Sequence, residues 1–382
     1  MRTPGAGRPS VRPTDAGLYV HIPFCLTRCG YCDFNAYAGL SHLGPAYGEA
    51  LRREAERQAA SWAGVRFVSI FFGGGTPTTL PAETLGELVA AFRGCFDVAE
   101  NAEITCEANP DTVDRSYLEG LLRAGITRLS MGVQSFDPAV LASLERVHSA
   151  DSARRAFGDA RAAGFEDVNL DFIYGALGET EESWRRTVDE VVALAPEHLS
   201  CYALTVEPGT PLGHRVSTGR IPPPDPDIQA NRYEAACEGL AAAGYVHYEV
   251  SNWALPGHEC LHNVGYWEGR PYLGLGAGAH SFRSGRRWWN HRLPQRYLDT
   301  VSKGLLPIEG EERPGEEEAA LERTLLSVRL ARGIPESMVP PNVAEAYLAG
   351  GLARRESGRF ALTDRGLLLA SDLVLALEAP EC

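Results

Sequence analysis

Six short runs rich in Val, Ile, Phe, Tyr and Leu recur between residues 18 and 206: LYVHI (18–22), RFVSIFF (66–72), AEITCEA (102–108), TRLSMGV (127–133), DVNLDFIY (167–174) and HLSCYALTV (198–206). None alternates cleanly between apolar and polar positions, which is the pattern of strands covered on both faces. Between them lie stretches with apolar residues at helical spacing, such as AYGEALRREAERQAASW and DSARRAFGDARAAGF, the second closing on Gly164 as helices often do. A β/α unit repeated about six times predicts a parallel sheet, either an open wound sheet or an incomplete barrel.

After Val206 the rhythm stops. The Pro-rich stretch GRIPPPDPD (219–227) marks a boundary or a crossing loop, with a helix expected after it. Residues 245–291 combine many aromatics with five histidines and are too Gly-rich for a long helix, so they read as strands and loops returning to the first domain. The acidic run GEERPGEEEAALER (310–323) opens a helical tail ending in GLARRESGRFALTDRGLLLASDLV, whose helix, short strand, Leu-Thr-Asp cap and final helix resemble a winged helix. The division expected is therefore a disordered N-terminal tail (1–16), a barrel core (17–220), a segment packing on the barrel (221–305) and a C-terminal winged-helix-like α+β domain (306–382).

Charge narrows the partners. Thirty-six Lys and Arg against 50 Asp and Glu leave a net charge of -14, which disfavours nucleic acid and anionic membranes. The stretch from 350 to 382 holds four Arg and no Lys against five acids, so its wing reads as structural. No apolar run approaches the roughly 18 residues that span a bilayer, so no integral membrane segment is expected. The first sixteen residues carry three Arg and three Pro without an apolar core, which excludes a secretory signal; they also resemble a transit peptide, though a plain tail is simpler. Nine cysteines, three of them crowded into eight positions, suit a reducing cytoplasm and metal binding better than disulfides.

Those three, Cys25, Cys29 and Cys32 in CLTRCGYC, follow the first predicted strand and project from one loop at its carboxyl end. Thiolates are soft ligands that suit zinc or an iron–sulfur cluster. Structural zinc takes four ligands, and His21 is the nearby candidate for a fourth; three cysteines on a [4Fe-4S] cluster leave one iron open to a small molecule. The glycines Gly73, Gly74 and Gly75 follow an apolar strand and read either as a tight turn or as a place where backbone meets a ligand. Glu107 and Gln134 end predicted strands and so point to the mouth of a barrel, although a carboxylate there also caps helices.

Cys-x3-Cys-x2-Cys after a first strand resembles the signature of the radical S-adenosylmethionine (SAM) superfamily. The wider YVHIPFCLTRCGYCDFNAY is similar to the oxygen-independent coproporphyrinogen III oxidase group, which includes the heme chaperone HemW branch. FFGGGTPT, CEANP, MGVQSFD, LERVHS, VNLDFIYGALGET and HNVGYW follow in that family's order. The resemblance implies an incomplete (β/α)6 radical SAM barrel with a C-terminal winged-helix-like domain. It also implies a [4Fe-4S] cluster on Cys25, Cys29 and Cys32 whose open iron takes the methionine end of S-adenosyl-L-methionine. Gly74, Gly75 and Thr76 then meet the methionine amino group, and Tyr19, Tyr31, Glu107, Gln134, Arg146 and Asp171 are further cofactor contacts. In the oxidase branch such contacts are shared between two cofactor molecules.

Two departures favour the chaperone branch. The oxidase carries a fourth cysteine two positions after the third, where this chain has Asp33 and Phe34, and it carries a long N-terminal extension, where this chain has eighteen residues before Tyr19. In HNVGYW, His262 beside Tyr266 and Trp267 offers an iron ligand and a porphyrin face, with Cys260 as an alternative ligand; taken alone, His262 reads as a hydrogen-bonded structural histidine. The function expected is to bind heme and transfer it to acceptor proteins, with an electron donor if the cluster is reduced, and without coproporphyrinogen oxidase activity. The alternative is that oxidase itself. A zinc-stabilised winged-helix regulator fails on charge and on the barrel pattern.

Overall fold

A computed structural model describes residues 8–378 of the chain. All six expected strands form: β1 (Ala16–Ile22), β2 (Arg66–Gly74), β3 (Asp97–Ala108), β4 (Arg128–Gln134), β5 (Val168–Tyr174) and β6 (His198–Ala203). They pair in parallel in chain order. Helices cross between them over Gly44–Gln58, Ala82–Cys95, Arg115–Arg123, Ala150–Ala163 and Glu181–Leu194. The chemistry of their ends is local. Ser149 and Thr180 cap the last two by accepting from backbone N–H groups in the first turn, and Gly164 ends the fourth at a φ of 107°.

The strands do alternate, but both sides are buried. On β1, Ala16, Leu18, Val20 and Ile22 are fully buried against the helical layer, and Val168, Leu170 and Phe172 do the same on β5. The other parity faces the inside of the curved sheet and is largely polar. Register aligns Ser69 with Glu103, Glu107 with Ser130, Ser130 with Asn169, and Asn169 with His198, so these side chains form rows across four strands. A polar interior is what the mixed pattern encodes.

The sheet continues past the six strands on both sides. On one, β8 (Asn252–Ala254) pairs antiparallel with β6 and β7 (Val246–Glu249) pairs antiparallel with β8 at the edge; on the other, β9 (Tyr272–Leu275) pairs parallel with β1 and leads outward to β10 (His280–Arg283), β11 (Arg286–Asn290) and β12 (Ile308–Glu312). Segment 221–305 thus supplies strands to both edges, with the expected helix at Pro226–Ala242. Because β12 is the outermost strand of this twelve-stranded sheet, the boundary expected at 306 falls after it. From Glu316 onward, helices and a three-stranded sheet enclose a second core around Val328, Ile334, Phe360 and Leu373.

Two expectations change. HNVGYW, read as strand or loop, forms the helix Leu261–Trp267; seven residues interrupted by Gly265 are too short for helical periodicity to register. Residues 1–7 of the expected tail lie outside the described residues, and 8–15 are held rather than loose. Arg8 pairs with Glu103 and Glu259, both at 3.1 Å, and buried Asp15 accepts from Arg66 at 3.2 Å. Among the described residues no helix is long and apolar enough to cross a membrane.

Candidate functional site

The loop after β1 brings Cys25, Cys29 and Cys32 to the carboxyl end of the sheet, all three as free thiols. They line one wall of a cavity of about 690 Å³, its open mouth included; Gly74, Gly75, Thr76, Glu107, Gln134, Arg146, Asp171 and Tyr31 line the rest. Eleven of the twelve residues expected to hold cluster and cofactor therefore meet in one place. Tyr19 is the exception. It sits deeper in the barrel, stacked on Phe71 and bonded to His21 at 3.0 Å.

Burial raises the affinity of the Cys25 and Cys32 thiols for their protons, so the site favours thiolates only when a cationic partner arrives. Thr76 Oγ1 lies 3.6 Å from Cys25 Sγ. Arg146 is fixed by the Gly132 carbonyl at 2.9 Å and by the Asn109 side chain, and it reaches Cys29 Sγ at 3.2 Å. Burial also pushes up the Tyr31 hydroxyl, with Arg146 pulling the other way. His21 is spoken for at both nitrogens, by Tyr19 at 3.0 Å and by the Asn35 carbonyl at 2.9 Å, so it is no fourth zinc ligand here.

Across the cavity stand two carboxyls. Burial first, and Asp171 second, push Glu107 up to about 8, although the Gly74 N–H donates to it at 3.0 Å. Burial raises Asp171 as well, against hydrogen bonds from Asn169 at 2.8 Å and Ser130 at 3.2 Å. Both acids are held above their ordinary range, so a cation entering the cavity would favour their ionised forms. Gln134 follows a bulge and has a φ of 68°, a conformation that non-glycine residues rarely adopt, and this turns it into the cavity.

The glycine loop lines the cavity and also answers to packing. A Cβ on Gly74, whose φ is 113°, would meet the His21 ring, and one on Gly75 would lie 2.6 Å from the Phe24 carbonyl oxygen, so the missing side chains let β2 pass β1 while the backbone stays at the cavity wall. The cradle that a side chain would fill is at Gly132, where a Cβ would meet Gln134 at 2.9 Å and Asn109 at 3.5 Å. Sequence reasoning missed Gly132, Asn109 and Ser130. Their signal was present: all are non-apolar positions at or near the carboxyl ends of otherwise apolar strands.

His262 is not placed to ligate iron. It is buried, stacked on Phe71 at 5.2 Å, with Nδ1 bonded to Ser69 at 2.9 Å and Nε2 to Tyr266 at 3.0 Å. Burial, reinforced by Arg270, drives its affinity for a proton down to about 3. The hollow beside it holds only about 10 Å³, roughly the room that one water needs. Tyr266 is spent on His262 and packs edge-on against Tyr272; Trp267 is half-buried and does not line that hollow. Cys260, buried at the start of the same helix, is held with its thiol pushed up to about 12 by burial and Glu103.

The sequence model of the Radical SAM superfamily matches residues 19–191. Heme chaperone HemW of Mycobacterium tuberculosis is 44% identical over 367 residues, spanning 94% of each chain; the HemW proteins of Escherichia coli and Bacillus subtilis are 34% and 33% identical, each over at least 93% of both chains. This chain belongs to the HemW heme chaperone family. Its fold is that of the Escherichia coli coproporphyrinogen III oxidase HemN, a radical SAM enzyme, with a TM-score of 0.82 at 23% identity over 96% of this chain and 91% of that one.

Membership of the HemW family, within the radical SAM superfamily, implies a [4Fe-4S] cluster and S-adenosyl-L-methionine. The residues present fit both groups. Among the described residues the three thiols share one loop with no fourth side-chain ligand beside them, and opposite them stand two buried acids that form no ion pair and that suit a molecule with an ammonium and a sulfonium.

Proposed function

We propose that this chain binds heme and transfers it to acceptor proteins, carrying a [4Fe-4S] cluster on Cys25, Cys29 and Cys32 and S-adenosyl-L-methionine in the adjoining cavity. The observation that carries the reading is the 44% identity to a heme chaperone along 94% of both chains. When bound, the cluster supplies an electron and the cofactor a source of radical chemistry. The chain's own residues do the rest. Glu107 and Asp171 attract the cofactor's positive charge, and Gln134, Thr76 and Gly132 shape the cavity around it. Arg146 ties the cysteine loop to the strand ends through Cys29 and the Gly132 carbonyl. Tyr19 supports this wall from behind through His21.

The partners of this reading are heme, heme-acceptor proteins and, where the cluster is reduced, an electron donor, all in a cytoplasmic setting. A second reading, coproporphyrinogen III oxidase, is favoured by the fold shared with HemN. One incubation separates them. Reconstituted protein given coproporphyrinogen III, a reductant and cofactor forms no protoporphyrinogen if it is a chaperone, and binds heme in a parallel titration.

A further inference from the structure

A second cavity, separate from the hollow beside His262, lies at the opposite end of the barrel. The helix Gly44–Gln58 carries the chain back to where β2 begins. Its end, the turn to Trp62, the β10–β11 hairpin and the approach to β12 enclose about 750 Å³, solvent at the mouth included. Four arginines converge there, Arg57, Arg283, Arg286 and Arg313. In a chain of net charge -14 such a concentration calls for a local reason.

Three of the four arginines are left without an acidic neighbour in contact. Arg286 pairs with Glu311, whereas Arg57, Arg283 and Arg313 have no carboxylate partner among the described residues. Two are pre-positioned by stacking: the Arg283 guanidinium lies 4.9 Å over the Trp62 ring and also donates to the Ser61 carbonyl, and Arg286 lies 4.8 Å over Trp288. The two indoles are themselves neighbours at 6.4 Å, and Leu306 and Ile308 add an apolar wall. Guanidinium planes backed by aromatic rings present flat faces together with carboxylate-binding forks.

From this geometry we infer that the cavity binds a porphyrin dicarboxylate, heme in the first instance, with the propionates on Arg57 and Arg313 and the macrocycle against the Arg283 and Arg286 planes and Leu306. The inference rests on the heme-chaperone reading. No His, Cys, Tyr or Met lines the cavity, so recognition runs through the ring and its carboxylates rather than through iron. That suits a carrier, which must release its cargo to a protein that does supply an iron ligand. It also separates cargo from cluster.

The test uses the full-length, cluster-reconstituted chain and its Arg57→Gln/Arg313→Gln variant, both positions being exposed and outside the cysteine cavity. Heme and iron-free protoporphyrin IX are each titrated by tryptophan quenching and absorbance. Both should bind the wild type with similar affinity and the variant about tenfold or more weakly, for the loss of charge-assisted contacts. Protoporphyrin dimethyl ester should not distinguish the two proteins, and Cys25→Ala/Cys29→Ala/Cys32→Ala should keep wild-type porphyrin binding. Unchanged heme affinity in the arginine variant overturns the site but leaves the chaperone reading intact. Displacement of heme by pyrophosphate at comparable concentration overturns it in favour of a simple anion pocket. Failure of the wild type to bind any porphyrin overturns both.

Discussion

Replacing Glu107 by Gln should make the cofactor-free protein more stable while weakening its hold on the cofactor. The carboxyl, ordinarily near 4.5, is pushed up to about 8 by burial and by Asp171. Between those values the folded chain keeps a proton that the unfolded chain releases, so stability falls as pH rises through that window and levels off above about 8. At pH 7 holding this acid in place costs the fold about 3 kcal/mol. Gln is the same size, and its amide oxygen can still accept from the Gly74 N–H, so most of that cost should vanish without loss of the 3.0 Å contact. Denaturant unfolding of cluster-free protein between pH 5.5 and 8.5 reads this directly: the wild type loses stability across the range, and Glu107→Gln follows a flatter line lying above it at pH 7 and higher. Calorimetry with S-adenosyl-L-methionine on reconstituted protein should show the reverse, about tenfold to a hundredfold weaker binding for losing one charge-assisted contact. Parallel pH profiles with unchanged cofactor affinity would refute the argument that this acid is kept strained for a cation.

Other outcomes follow from the same geometry. Cys25→Ala, Cys29→Ala or Cys32→Ala should each abolish the cluster's visible absorbance after anaerobic reconstitution, and stoichiometric zinc in an iron-replete preparation would contradict the assignment. Gly74→Val should lower folding stability by about 2–4 kcal/mol, because its Cβ meets the His21 ring in a backbone conformation unsuited to Val; a variant of native stability would contradict that clash. His262→Ala should leave the heme spectrum unaltered and cost about 1–3 kcal/mol for the buried Ser69 and Tyr266 hydroxyls it orphans. Because the native state keeps His262 neutral to about pH 3, the wild type should also lose stability as pH falls below about 6.5, and the variant should lose less.

Much of the barrel was legible because each strand has one face of Val, Leu, Ile and Phe that can only be core. The Cys25–Cys32 loop could be read from its spacing and Glu107 from its place at a strand end, whereas Asp171 was legible only through the family resemblance. Asn109 and Gly132 escaped because their contribution is shape and hydrogen bonding with Arg146, which appears only when β3 and β4 stand side by side. His262 misled for the converse reason. An imidazole beside Tyr266 and Trp267 looks like a porphyrin site until Ser69, from a strand 193 residues away in the chain, takes its other nitrogen. The glycine loop could be found from its place after an apolar strand, but its packing against His21 on the adjacent strand could not, because that neighbour appears only in the fold.

Delivery of heme to an acceptor is the most direct test of the chaperone function. Reconstituted chain loaded with one equivalent of heme is mixed with the apo form of a heme-requiring enzyme taken from heme-starved cells, and recovery of that enzyme's activity is timed against an equal amount of free heme under an excess of a heme scavenger. A heme chaperone restores activity under conditions in which free heme is captured first. Equal, negligible recovery from both sources would contradict the chaperone function.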